Sequence, residues 1–270
     1  MDQRPIGFFD SGVGGLSVWR EVVNLLPQES TLYFADQAFF PYGEKSTTVI
    51  RRRLLRICRF LLKRKAKLIV IACNTATVSG IDRLRRRFKI PLVGVEPAIK
   101  SAVTLSKTGV IGLLATKRTI LSQRQTELTA RFGRGKKIIS LDGSQLTPLV
   151  EQGRGNSPET RKVLKKLLLP LKKAKADVLV LASTHYVLLR EQIQACVGSG
   201  MTVIDSGPAV ARQVKKVLQE NNLETNQKKP KHLFFTTRSP GSSSYYDPGS
   251  YRVRQKLVVV KLKDDGIREI

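Results

Sequence analysis

Leu68-Ile69-Val70-Ile71-Ala72-Cys73-Asn74-Thr75 is an apolar run that ends in a small nucleophilic side chain, and Val178-Leu179-Val180-Leu181-Ala182-Ser183-Thr184-His185 repeats it. Where the first copy has a thiol, the second has a hydroxyl. A second pair supports a duplication, because Ile6-Gly7-Phe8-Phe9-Asp10-Ser11 lines up with Ile111-Gly112-Leu113-Leu114-Ala115-Thr116 at nearly the same offset. Around these runs, short apolar segments alternate with longer amphipathic ones, which is the pattern of strand-helix units on a parallel sheet. The expected fold class is α/β: two pseudo-symmetric parallel-sheet α/β domains with the active site between them.

The pattern predicts strands at 5–9, 67–72, 92–95, 109–114, 137–141, 177–182 and 202–204. Helices are expected where Trp19, Val22, Val23 and Leu26, and then Ile50, Leu54, Ile57, Cys58 and Leu61, recur at helical spacing. Pro27 ends the first of these. Cys58 is therefore expected in the core, and Cys196, beyond a helix that follows Tyr186, is expected to pack or to sit exposed. The polar segment 219–231 reads as a connector, Ser239 to Tyr251 as a loop, and 256–263 alternates like an edge strand. One domain is expected over 1–96 plus 207–270, the second over 97–206.

Composition narrows the function. The chain has 270 residues, of which 41% are hydrophobic, with no apolar run long enough for a membrane span and no signal-peptide core, so a cytoplasmic protein is expected. Three cysteines and two histidines offer no metal-ligand spacing, and no metal site is expected. The anomaly is charge: 48 Lys and Arg against 21 Asp and Glu give +27. The basic residues spread over many segments, without a nucleic-acid motif or base-stacking aromatics among them, so specific nucleic-acid binding is not expected. A solvated basic surface that steers an anionic substrate inward is the simpler reading.

In a parallel sheet, ligands bind beyond the carboxyl ends of the strands. Four such places carry polar residues: Asp10-Ser11-Gly12-Val13-Gly14-Gly15, Cys73-Asn74-Thr75, Thr116-Lys117-Arg118-Thr119, and Ser183-Thr184-His185. The glycines after Asp10 permit a tight turn into a helix whose first amides suit an anion. A thiol at a strand-helix junction is expected to have its pKa lowered toward neutrality.

Together with Pro41-Tyr42-Gly43, Gly94-Val95-Glu96-Pro97, Glu151-Gln152-Gly153 and Ile204-Asp205-Ser206-Gly207, this set resembles the glutamate racemases over the first 207 residues, in order. The resemblance implies a cofactor-independent isomerase that inverts the α-carbon of glutamate, supplies D-glutamate for peptidoglycan, and forms a homodimer. Two cysteines flank the substrate in that family, one removing the α-proton as a thiolate and the other delivering a proton to the opposite face. Carried over, Cys73 is the first of them, Asp10 and His185 assist the first and second base, and Glu151 lies near the second. Ser11, Pro41, Tyr42, Gly43, Asn74, Thr75, Thr116, Thr119 and Thr184 match positions that bind the substrate or shape its pocket.

Ser183 stands where the family carries its second cysteine, and its neighbours depart as well, with Ala182 in place of the usual glycine and Val187 in place of a proline. A hydroxyl has a pKa of roughly 15 to 16 against about 8.5 for a thiol, so forming the alkoxide costs on the order of 9 to 10 kcal/mol more than forming the thiolate. His185 is positioned in sequence to offset part of this as a general base. Racemisation slowed by Ser183 is the expectation. Two alternatives stay open: a racemase fold kept as a binding or regulatory protein whose basic surface meets nucleic acid or another acidic partner, and a racemase of another acidic amino acid.

Overall fold

Strand order reproduces the duplication. In the first sheet β1 (Ile6–Asp10) is central, with β2 (Thr31–Ala35) on one side and β3 (Leu68–Ile71) then β4 (Leu92–Gly94) on the other. In the second, β5 (Val110–Ala115) is central, with β6 (Lys137–Asp142) on one side and β7 (Val178–Ala182) then β8 (Thr202–Asp205) on the other. All these pairs are parallel, and the orders 2-1-3-4 and 6-5-7-8 are the same winding. Cys73 after β3 and Ser183 after β7 thus occupy equivalent places in two related halves. The computed structural model describes residues 1–238, 257–263 and 266–269; the loop expected at Ser239 to Tyr251 lies outside them.

The first sheet continues past β2. β9 (His232–Thr236) pairs with β2, β10 (Leu257–Lys263) runs parallel to β9, and β11 (Gly266–Glu269) turns back antiparallel on β10. The strand expected at 256–263 is present over Leu257–Lys263, but it is not an edge strand, because β11 pairs on its outer side. The sequence reading places no strand at 31–35 or 232–236. Their length does not set them apart from the other strands; β9 follows a polar connector, and pairing in the sheet is what makes both of them strands.

Helices close both faces. The first half carries α1 (Leu16–Leu25), α2 (Thr47–Lys63) and α3 (Asn74–Arg87). The second carries α4 (Ile99–Leu105), α5 (Lys117–Ile120), α6 (Gln123–Phe132), α7 (Leu146–Glu151), α8 (Pro158–Lys173), α9 (Thr184–Val187) and α10 (Arg190–Val197). Ser46 caps α2 by accepting from the Val49 amide, and Ser157 caps α8 by accepting from that of Thr160. Cys58 is buried in the core as expected, whereas Cys196 lies inside α10, half-buried, rather than beyond a helix. Finally α11 (Gly207–Glu220) returns to the first half, where Val210, Val214 and Leu218 pack with Trp19 and Val22 of α1. Each fully buried apolar side chain of this kind contributes about 1.5 to 3 kcal/mol.

Candidate active site

The carboxyl ends of β1, β3, β5 and β7 converge on one cavity of about 210 Å³. Its walls include Ser11, Cys73, Asn74 and Thr75 from the first sheet and Thr116, Ser183, Thr184 and His185 from the second. A loop after β2 contributes Pro41, Tyr42 and Gly43. Cys73 and Ser183, 5% and 6% exposed, therefore open onto the same space from the two halves. Each is the N-cap residue of the helix that follows it, but α3 has 14 residues and α9 only four, so the helix dipole behind the serine is much the weaker.

Three expected site residues do not line the cavity and stand directly behind it. Thr119 is fully buried and continues a hydroxyl chain that crosses the halves, Thr75 to Thr116 at 3.1 Å and Thr116 to Thr119 at 3.1 Å. Asp10, also fully buried, accepts from the Thr184 hydroxyl at 3.4 Å. Glu151 accepts from His185 Nε2 at 2.8 Å, from the Val13 amide at 2.7 Å and from Gln37 Nε2 at 3.2 Å. Gln37 in turn accepts from the Thr236 hydroxyl at 2.7 Å, which ties β9 to the second half.

This arrangement gives the glycine-rich turn a different purpose from the one its sequence suggests. The anion received at the turn is the carboxylate of Glu151, held by the Val13 amide. A Cβ on Gly12 would stand 1.9 Å from Glu151 Oε1, and one on Gly14 would stand 2.7 Å from His185 Nδ1. Both glycines are required because the second half presses its acid and imidazole against this backbone.

Electrostatics correct a second expectation. Burial, and after it the charge of Asp10, pushes the Cys73 thiol up to about 12, and the Ala76 amide and Ser11 hydroxyl offset only part of this. The helix N-terminus acts in the expected direction, but desolvation outweighs it. Burial also raises Asp10 to about 7, with the Glu151 charge adding and His185 opposing. For His185, burial favours the neutral ring, yet the hydrogen bond and charge of Glu151, with Asp10, hold its pKa above the ordinary value. Burial would lift Glu151, but His185, the Val13 amide and Gln37 keep it below the usual carboxylate range. Each member of the pair thus favours the charged form of the other.

His185 makes no hydrogen bond to Ser183 here. Its Nε2 is engaged by Glu151, and among the described residues Ser183 Oγ makes no hydrogen bond.

Asp10 makes the protein's stability depend on pH. A carboxyl of about 7 in the folded protein against about 3.9 unfolded binds its proton more tightly when folded, so its contribution is complete below pH ~4 and is lost as pH rises through 7. Three units correspond to about 4 kcal/mol at most. The urea midpoint is expected to be lower at pH 8 than at pH 5, and Asp10→Asn should flatten that difference; an unchanged slope in the variant would assign the dependence elsewhere.

Sequence reading missed several groups that the fold brings in. Phe40, Glu44, Lys117, Asp142, Ser144 and Thr147 also line the cavity. Asp36 and Arg53 form a buried ion pair, and the Tyr42 hydroxyl donates to Asp36 Oδ2 at 2.6 Å. Arg118 reaches across from α5 to the carbonyls of Gly43 and Lys45. Lys117 and Arg118 stood inside a quoted motif, but nothing in the sequence separated them from surface cations.

Comparison with known proteins agrees with this geometry. The model of the Asp/Glu/Hydantoin racemase family matches residues 6–214. A glutamate racemase of Ralstonia pickettii is 43% identical over 235 residues, 87% of this chain and 83% of that protein. A crystal structure of a Bacillus anthracis glutamate racemase isoform superposes with a TM-score of 0.89 at 31% identity, covering 97% of this chain and 99% of the other. An Escherichia coli glutamate racemase, crystallised with L-glutamate and the activator UDP-MurNAc-Ala, gives 0.80 at 37% identity over 88% and 91% of the two chains. With its twofold strand order and a cavity lined by both halves, this chain belongs to the Asp/Glu/Hydantoin racemase family.

Proposed function

We propose that the protein acts on glutamate at its α-carbon by proton transfer without an organic cofactor, interconverting the L and D forms, with racemisation slowed by Ser183. The observation that carries this reading is the opening of Cys73 and Ser183 onto one cavity from equivalent strand ends of the two halves. Cys73 exchanges the α-proton on one face, with Asp10 behind it as the group that accepts or returns that proton. His185, backed by Glu151, supplies positive charge on the side of Ser183. A substrate α-ammonium near Cys73 would favour the thiolate that burial disfavours. Asn74, whose Nδ2 is buried without a partner among the described residues, donates to a substrate carboxylate, as do the hydroxyls of Ser11, Thr75, Thr116 and Thr184. Thr119 orients Thr116, and Pro41, Tyr42 and Gly43 form the wall.

The remaining assignments belong to the same proposal. The domains are 1–96 with 207–270, and 97–206; the product D-glutamate serves peptidoglycan synthesis in the cytoplasm, and the protein works as a homodimer. No helix among the described residues is long and apolar enough to cross a membrane.

The test is solvent deuterium exchange followed by NMR on each glutamate enantiomer. Deuterium is expected at the α-carbon of one enantiomer, the one whose proton faces Cys73, with exchange outrunning racemisation by about 100-fold or more, in keeping with the loss of one general acid-base group. Binding of glutamate without exchange in either enantiomer would favour the regulatory reading, and absence of both would reject glutamate as ligand.

A further inference from the structure

Half of the chain's net charge lies in the segment that carries α2 and α3. Residues 45–95 contain fifteen Lys and Arg and a single acid, Asp82, a net of +14 out of +27. Arg53 and Lys67 are buried in ion pairs with Asp36 and Glu29, but Arg51, Arg52, Arg59 and Lys63 of α2 and Arg83, Arg85, Arg86 and Arg87 of α3 are exposed. Between the two helices runs a groove of about 460 Å³ lined by Leu55, Arg59, Arg83, Arg86 and Arg87, with no carboxylate in its wall. Among the described residues these four arginines make no hydrogen bond or ion pair. Thus a basic stretch of the sequence becomes one basic face in space.

Neither simpler explanation covers it. Basic residues in the last turn of α3 complement the helix dipole, but Arg59 precedes the last turn of α2, where that effect has fallen off. Steering of an anionic substrate fails on distance. The cavity takes residues from the N-terminal end of α3, and Arg86 is twelve residues further along, about 18 Å at ~1.5 Å per residue, against a screening length of about 8 Å in physiological salt.

We propose that the α2–α3 face binds duplex DNA through its phosphodiester backbone, without sequence preference. Guanidinium groups grip phosphate oxygens in a bidentate way, and a duplex presents one negative charge per about 1.7 Å of its axis. A lipid surface fits less well, because none of the exposed large apolar side chains belongs to α2 or α3 and none could insert among acyl chains. Single strands fit less well for a related reason, since no exposed aromatic side chain on either helix offers bases a stacking platform. The face is separate from the cavity and its use does not depend on the chemistry there.

The test uses the full chain and a 20-base-pair duplex of scrambled sequence, with binding read by fluorescence anisotropy from about 50 to 200 mM NaCl. Four phosphate contacts predict a log-log salt slope of about −3.6, at ~0.9 per contact. A variant carrying Arg59→Gln, Arg83→Gln, Arg86→Gln and Arg87→Gln should lose at least about tenfold in affinity at the lower salt and flatten the slope by about 3, as deletion of phosphate contacts does. A control carrying Lys165→Gln, Lys166→Gln and Lys172→Gln on α8 should bind nearly as the unaltered protein. Circular dichroism and urea midpoints confirm that both variants fold. Equal binding by the quadruple variant, tighter binding to a single strand or to phosphatidylserine vesicles than to the duplex, or no salt-dependent binding at all would overturn the assignment.

Discussion

Ser183→Cys is expected to raise glutamate racemisation by about 10² to 10⁴-fold, the usual worth of a positioned general acid-base group. The site is otherwise furnished on both sides, with Asp10 and Cys73 contributed by the first half and His185 and Glu151 by the second. Ser183 is 6% exposed, lines the cavity and has no hydrogen bond among the described residues, so a thiol in its place would meet no competing partner. The hydroxyl makes no hydrogen bond to His185, whose Nε2 is bound to Glu151. No hydrogen bond to the hydroxyl in this geometry offsets the roughly 7-unit gap between hydroxyl and thiol acidities. Circular dichroism of glutamate solutions measures the interconversion, and deuterium should then enter both enantiomers rather than one. A variant that binds glutamate but racemises no faster would remove Ser183 from the proposed role.

Arg53→Leu is expected to destabilise the protein by about 3 to 5 kcal/mol, the cost of stranding a buried charge. Asp36 is fully buried and receives Arg53 Nε at 2.7 Å, the Tyr42 hydroxyl at 2.6 Å and the Thr237 hydroxyl at 3.0 Å. Without the guanidinium, its carboxylate keeps two neutral donors and no counter-charge. The Arg53 guanidinium also covers the ring of Phe39, 3.5 Å from its centroid, so the loop from 39 to 43 loses a support beside the cavity. Urea unfolding measures the loss, and Asp36→Asn added to Arg53→Leu should recover part of it because the stranded charge is gone. If the double variant is as unstable as the sum of the two single changes, the coupling assigned to this pair is absent.

Much of the architecture was legible because it is encoded locally. Seven apolar runs ended within a residue or two of the observed strands; the central ones, β1, β3, β5 and β7, are buried on both faces and so need consecutive apolar side chains, with a polar residue where the chain leaves the sheet. The duplicated pairs pointed to two related halves, and the strand orders agree. Most of the cavity was legible for the same reason, its residues following directly on those runs.

What the sequence by itself determined is therefore the set of elements, their twofold arrangement and the residues at their carboxyl ends. The tertiary structure alone decided the quantities that depend on what surrounds a group. Arg51, Arg52 and Arg53 are the same residue three times in a row, yet the helical step of α2 leaves two in water and turns the third onto Asp36. Cys73 sits at a helix N-terminus, which lowers a thiol's pKa, yet burial beside Asp10 raises it. Arginines about 25 residues apart, Arg59 on α2 and Arg83 to Arg87 on α3, become one face because the two helices lie side by side. Periodicity is a property of neighbours in sequence, whereas desolvation and charge are set by neighbours in space, and only folding determines which those are.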